Sequence, residues 1–145
     1  MKKLHCYFAL VFLSSFFVRT TLAEIVVIVN PKNNAADSIT PELIGNYFLG
    51  KKMEFKNGMK AIALDFYNEK EEEIRHNFYN KILNKSPYQI KAYWTRLAFT
   101  GKGKPPRGVN SQIEVRKMVA EDTRFIGYID IANVDDSVKI IHHVK

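Results

Sequence analysis

Ile25-Val26-Val27-Ile28-Val29, followed by Asn30-Pro31, is a continuous β-branched run with no alternation of apolar and polar residues. A half-buried strand alternates, so this run predicts a strand covered on both faces and a sheet with helices on either side. Lys32 to Ser38 is polar, and Thr40-Pro41-Glu42 then supplies an N-cap with proline at the first helical position, where the missing N–H costs nothing. Leu43, Ile44, Tyr47 and Phe48 share one face of the helix it opens, and Gly50 is its stop. Asn57-Gly58 is a tight-turn signal flanked by Met53, Phe55 and Met59. Ala61 to Phe66 is a second apolar run and core strand, carrying Asp65 near its end.

Charged helical periodicity follows from Glu69 to Leu83. Ile74, Phe78 and Ile82 form an i, i+4, i+8 stripe, while Glu71, Glu72, Glu73, Arg75 and Lys81 take the other positions and read as a solvated face. Ser86-Pro87 caps the next helix, which holds Trp94; Ile90, Tyr93, Trp94 and Leu97 share its inner face and Gly101 stands at its C-terminal stop. Beyond it Lys102, Lys104 and Arg107 lie on a backbone stiffened by Pro105 and Pro106, the composition of an exposed functional loop. Ser111-Gln112-Ile113-Glu114 is a capping box, opening a helix to about Glu121 with Val115, Met118 and Val119 inward. Arg124 to Asp130 reads as a third strand, and Gly127 inside it signals a close backbone approach or a bulge. Asp135-Asp136 marks a turn, and Val138 to His142 a last, edge strand. Strands alternating with helices give an α/β fold with a mostly parallel sheet flanked by helices.

The first residues belong to a different class. Lys2 and Lys3 precede an apolar run from Tyr7 to Val18 that ends near Thr21-Leu22-Ala23, the pattern of a secretory signal peptide over residues 1–23. The run is short for a membrane span, which needs roughly 20 apolar residues. Residues 24–145 then form a single domain, large enough for its own core. The whole chain carries a formal charge of +7; the leader holds Lys2, Lys3 and Arg19 and no acid, so the remainder is mildly basic at +4. Cys6, the only cysteine, falls in the leader. The remaining domain therefore has no disulfide, thiolate metal site or cysteine nucleophile.

Catalytic signatures are missing: there is no G-x-S-x-G, H-E-x-x-H, Walker A or dinucleotide fingerprint. GKGKPPRG follows a helix rather than a strand and lacks the G-K-[ST] ending of a phosphate loop. His142 and His143, adjacent on a strand, point to opposite faces and have no third ligand for a metal. These residues predict no enzyme, no metal and no cofactor, and an exported chain of this charge is not a nucleic-acid binder. Anion binding is better motivated, because Thr40, Ser86 and Ser111 each open a helix whose N-terminus presents unpaired N–H groups. In an α/β sheet, ligands collect at the carboxyl ends of strands, where the Asn30 to Thr40 loop is expected.

The segments IVVIVNPKN, ITPELIGNYFLGKK, NKSPYQIKAYWTRLAFTGKGKPP and FIGYIDIANVDDSVKII together resemble the short exported proteins related to the phosphate-binding proteins of ABC phosphate importers. That resemblance implies one lobe of a type II periplasmic binding protein. It also implies a periplasmic, non-enzymatic role in phosphate uptake or sensing, with inorganic phosphate or a similar anion as ligand and a membrane transporter or sensor as partner. Asp65 falls at the place of the family's aspartate, whereas LDFYNEKEEEIRHNFYNKIL has no counterpart of its Ser-Gly-Thr run. The ligand group expected on this basis is Asn30, Ser38 and Thr40 with Asp65 across from them. The rival reading is an envelope interaction module that kept the fold and docks a partner through Trp94, Lys102, Lys104 and Arg107.

Overall fold

The computed structural model describes residues 23–37 and 39–145. Residues 1–22, which hold Cys6 and nearly all of the expected signal peptide, and Ser38 lie outside the described residues. Five strands, β1 (Ile25–Val29), β2 (Ile62–Phe66), β3 (Arg107–Val109), β4 (Phe125–Asp130) and β5 (Lys139–Val144), form one sheet in the order β3-β2-β4-β1-β5. Four helices, α1 (Pro41–Phe48), α2 (Glu72–Leu83), α3 (Pro87–Thr100) and α4 (Gln112–Glu121), cover it. The fold is α/β, with helices on both faces of the sheet.

β2 runs parallel to β3 and β4, whereas β1 runs antiparallel to both β4 and β5. Four strands therefore point one way, and β1, inserted between β4 and β5, points the other. All five of its side chains are buried, as its unbroken apolar run predicts. The run reports coverage on both faces, not direction.

Local chemistry fixes the helices where the sequence places them. Thr40 Oγ1 accepts from Leu43 N, and Pro41 occupies the first helical position. Ser86 and Gln89 form a reciprocal capping box at the start of α3. At α4 only half of the expected box closes: Ser111 Oγ accepts from Glu114 N, but Glu114 Oε2 reaches back to Asn110 N, 2.7 Å away, one residue before the cap. Glu69–Glu71 is a 3-10 turn leading into α2.

The core has two layers. On one face α4 lies against β4 and β1, its Val115 so close to Gly127 that a Cβ there would overlap Val115 Cγ1. On the other, α1 and α2 bury Phe48 and Phe78 against Tyr128, whose ring stacks on Phe78 with centroids 3.8 Å apart. α3 is an outer wall against α2, and Ile90 is its only fully buried residue. The Trp94 indole rests on Gly50, which combines a φ of +64° with a contact that leaves no room for a Cβ.

One expectation fails in the Lys102 to Gly108 segment. Arg107 and Gly108 are not loop but the start of β3, paired in parallel with Leu64 and Asp65. The Arg107 guanidinium lies over the Phe125 ring, 5.6 Å from its centroid. Pairing with β2 imposes a strand that the local composition does not favour.

Gly127→Ala should destabilise the domain by about 1–3 kcal/mol through overpacking. Adding Val115→Ala should return part of the loss, since it removes the colliding methyl groups. Urea unfolding of the single and double variants measures both, and additive losses would contradict the contact.

Candidate functional site: the carboxyl edge of the sheet

Asp65 is the polar centre of the domain. It is 7% exposed, and both its oxygens are occupied. Oδ1 accepts from the Tyr128 hydroxyl at 2.6 Å and from Phe66 N at 2.9 Å. Oδ2 accepts from the Tyr79 hydroxyl at 2.8 Å and from Arg75 Nε at 3.1 Å. The donors come from β2, β4 and α2, so one carboxylate ties the helix to two strands. A buried carboxylate is tolerable only with this degree of satisfaction.

Arg75 and Tyr79 are one helical turn apart and meet Asp65 together. The guanidinium carbon also stands 5.2 Å from the Tyr79 ring centroid. Burial opposes the charge of Arg75, but the Asp65 carboxylate together with Tyr79 and Tyr128 outweighs it, so its pKa is raised. The guanidinium is thus held at one nitrogen while the side chain forms part of the wall of a cleft of about 620 Å³. Tyr67, Asn68 and Glu72 line the same cleft from the end of β2 and the start of α2, and Lys91 and Trp94 line it from α3. The Nε1 of Trp94 is buried with no hydrogen-bond acceptor among the described residues.

Beside the cleft the β2 and β3 ends are stitched together. The Tyr67 hydroxyl and the Asn68 amide both donate to Asn110, and Gln112 Nε2 donates to Glu71 Oε2 at 2.9 Å. Gln112 Oε1 in turn accepts from Asp130 N and Asn133 Nδ2. Asn68, Tyr67, Asn110, Gln112 and Glu71 are paired with one another at this edge, and the charged groups lining the cleft are the cations Arg75 and Lys91 and the carboxylates Glu69 and Glu72.

Of the residues expected to form a ligand group, Asn30 and Thr40 are not brought together with Asp65, and Ser38 lies outside the described residues. Val29 pairs with Ile126 and Lys139, at the starts of β4 and β5, so the loop after β1 leaves at the amino edge of the other strands. Ile62 is level with Phe125, and Asp65 lies three residues further along β2, about 10 Å away at the usual rise per residue. The cause is the reversed direction of β1. Asn30 is buried and structural: its Nδ2 donates to Val119 O and Ala120 O at the end of α4, and its Oδ1 accepts from Lys32 N. Thr40 is an exposed helix cap. Asp65 is at the carboxyl edge but turned inward, with Arg75 above it.

Of the alternative set, Trp94 is half-buried against Gly50, Lys102 and Lys104 are exposed, and Arg107 belongs to β3. Among the described residues no group of three His, Cys, Asp or Glu could hold a metal, and no helix is long and apolar enough to cross a membrane.

No family model and no curated protein matches the chain in sequence. Solved structures do match in fold. The chain is similar to an ABC-type phosphate transport receptor from Vibrio cholerae, with a TM-score of 0.63 at 20% identity over 82% of this chain and 45% of that one. It is also similar to a putative phosphate ABC transporter substrate-binding protein with bound phosphate from Clostridium perfringens, with a TM-score of 0.63 at 17% identity over 82% of this chain and 44% of that one. PstS from Borrelia burgdorferi gives a TM-score of 0.61 at 15% identity, covering 82% and 46% of the two chains. The chain thus shares its fold with part of each of these structures and spans less than half of their length.

Burial first, and then the Asp65 charge, raise the pKa values of Tyr79 and Tyr128 well above the ordinary tyrosine value of 10.0. The stability they contribute is therefore complete below the unfolded tyrosine value and is lost as pH rises through their folded values. Tyr128→Phe should cost about 1–3 kcal/mol at neutral pH, because Asp65 loses a donor. The variant should also lose less stability above pH 10 than the parent. Urea unfolding across alkaline pH checks this, and identical slopes for the two proteins would contradict it.

Proposed function

We propose that the chain is an exported, non-catalytic solute-binding-type domain serving phosphate ABC transport or sensing in the periplasm, and that Arg75 receives the oxyanion. One observation carries this reading: a buried carboxylate holds Arg75 by its Nε at the wall of the carboxyl-edge cleft, with Lys91 among the groups on the α3 side. A guanidinium fixed through one nitrogen retains further N–H donors for an anion, and little side-chain entropy is left to lose on binding. Glu69 and Glu72 line the same cleft. Carboxylates there suit hydrogen phosphate, whose protons they can accept, and disfavour sulfate, which is fully ionised. The fold likeness to phosphate receptors supports the same ligand class.

A second reading, an interaction module that kept the fold without the ligand, is favoured by the acidic start of α2. Glu69, Glu71, Glu72 and Glu73 crowd the N-terminal turns with carboxylates that repel a multiply charged anion.

Calorimetry of the protein beginning at Glu24 separates the two. The first reading expects heat with phosphate and binding at least about tenfold weaker with sulfate. It also expects Arg75→Met, which removes a charge-assisted contact, to weaken phosphate binding by about tenfold or more. A flat trace for the unaltered protein up to millimolar phosphate decides for the second reading.

A further inference from the structure

Charge is segregated along this chain. From Ile74 to Ile113 there is no Asp or Glu, and the stretch holds eight Lys and Arg. Over the rest of the chain from Glu24 onward, acidic residues outnumber basic ones by four. α3 lies in the middle of the acid-free stretch.

The two sides of α3 differ. Ile90, Tyr93 and Trp94 pack toward the core, and the Tyr93 hydroxyl donates to Leu49 O at 2.7 Å. The outer side carries Tyr88 and Phe99, which are 79% and 92% exposed. They lie along a shallow groove that Lys91 and Arg96 also line. Eleven residues of helix separate the two rings by about 16 Å along the axis. Exposed Lys102 and Lys104 follow the last turn. The Trp94 ring and the Lys104 carbonyl both approach Gly50, which brings the exposed Lys51 and Lys52 to the same flank. Among the described residues, none of these lysines has an ion-pair partner.

We propose that the outer face of α3, with the Lys102–Lys104 segment, docks on an anionic membrane surface. Tyr88 and Phe99 enter the headgroup boundary, and the lysines lie over acidic headgroups. Exposed aromatic side chains on a helix whose polar positions are lysine and arginine are the composition of helices that lie at a bilayer surface. Lysine is depleted at protein–protein interfaces, where arginine and pocket-filling aromatics dominate; here lysines prevail and the aromatics stand proud of the surface. Charge complementarity names the partner's sign, since the stretch from Ile74 to Ile113 holds eight cations and no carboxylate, while the Glu69 and Glu72 carboxylates line the cleft on the other side of Tyr88 and Lys91. This inference does not depend on phosphate binding, although Lys91 and Tyr88 border both the groove and the cleft.

The test is sedimentation of the protein beginning at Glu24, which contains every strand of the sheet, with lipid vesicles. Starting there keeps the apolar leader from inserting. Vesicles of phosphatidylcholine with about 30% phosphatidylglycerol should carry the protein down, vesicles of phosphatidylcholine alone should not, and about 0.5 M salt should release it. Lys102→Glu with Lys104→Glu, and separately Tyr88→Ser with Phe99→Ser, should each weaken binding by about tenfold or more while the melting temperature is kept. The Lys102→Glu, Lys104→Glu variant, altered outside the cleft, should give the same phosphate calorimetry as the parent, so loss of phosphate binding and loss of docking are told apart. Equal binding to neutral vesicles, or no binding to acidic ones, overturns the proposal. Retention on immobilised polyglutamate without retention on acidic vesicles also overturns it and assigns the face to an acidic protein.

Discussion

A single buried carboxylate governs how this domain is put together. Ionised Asp65 at this depth is stable only while its oxygens stay bonded, and its donors come from β2, β4 and α2. Breaking a buried ion pair by removing one partner typically costs 3–5 kcal/mol. The position of α2 on the sheet is therefore specified by polar geometry as well as by apolar contact. The Phe78–Tyr128 stack, next to this network, has the same dependence: its tyrosine is aimed by Asp65 while its ring is placed by packing. Arg75 is a product of the same constraint. Its charge is needed to offset the carboxylate, and meeting Asp65 puts it at the wall of the cleft.

Much of the fold was legible in the residues. Caps at Thr40, Ser86 and Ser111, glycine stops at Gly50 and Gly101, and the buried run of β1 are local signals, and each produced the element it predicts. Gly127 read correctly as a close approach, met by Val115. β3 was not legible because it exists through its partner: Arg107-Gly108 has little strand preference alone, and β2 supplies the pairing. The direction of β1 was not legible either, since an apolar run is the same read from either end.

That second failure moved the site. Placing the loop after β1 at the carboxyl edge follows if all strands run one way; with β1 reversed, Asn30 and Thr40 become supports for α4 and α1 at the opposite edge. Asp65 was found from a family position, but its partner Arg75 was read as one of many solvated charges on α2. The available signal was spacing. Arg75 and Tyr79 stand at i, i+4 beside the Ile74 and Phe78 stripe, which places a cation and a hydroxyl at the border of the buried face rather than on the solvated one.

The reversed first strand also orders events in time. Among the described strands β1 leaves the ribosome first, and the two it pairs with, β4 and β5, follow about a hundred residues later. Until then five β-branched side chains have no sheet to enter, and the central ladder cannot close. Contacts of such sequence separation slow folding and keep the nascent chain open. In the proposed exported role, that delay would keep the chain in the unfolded state a translocation channel accepts.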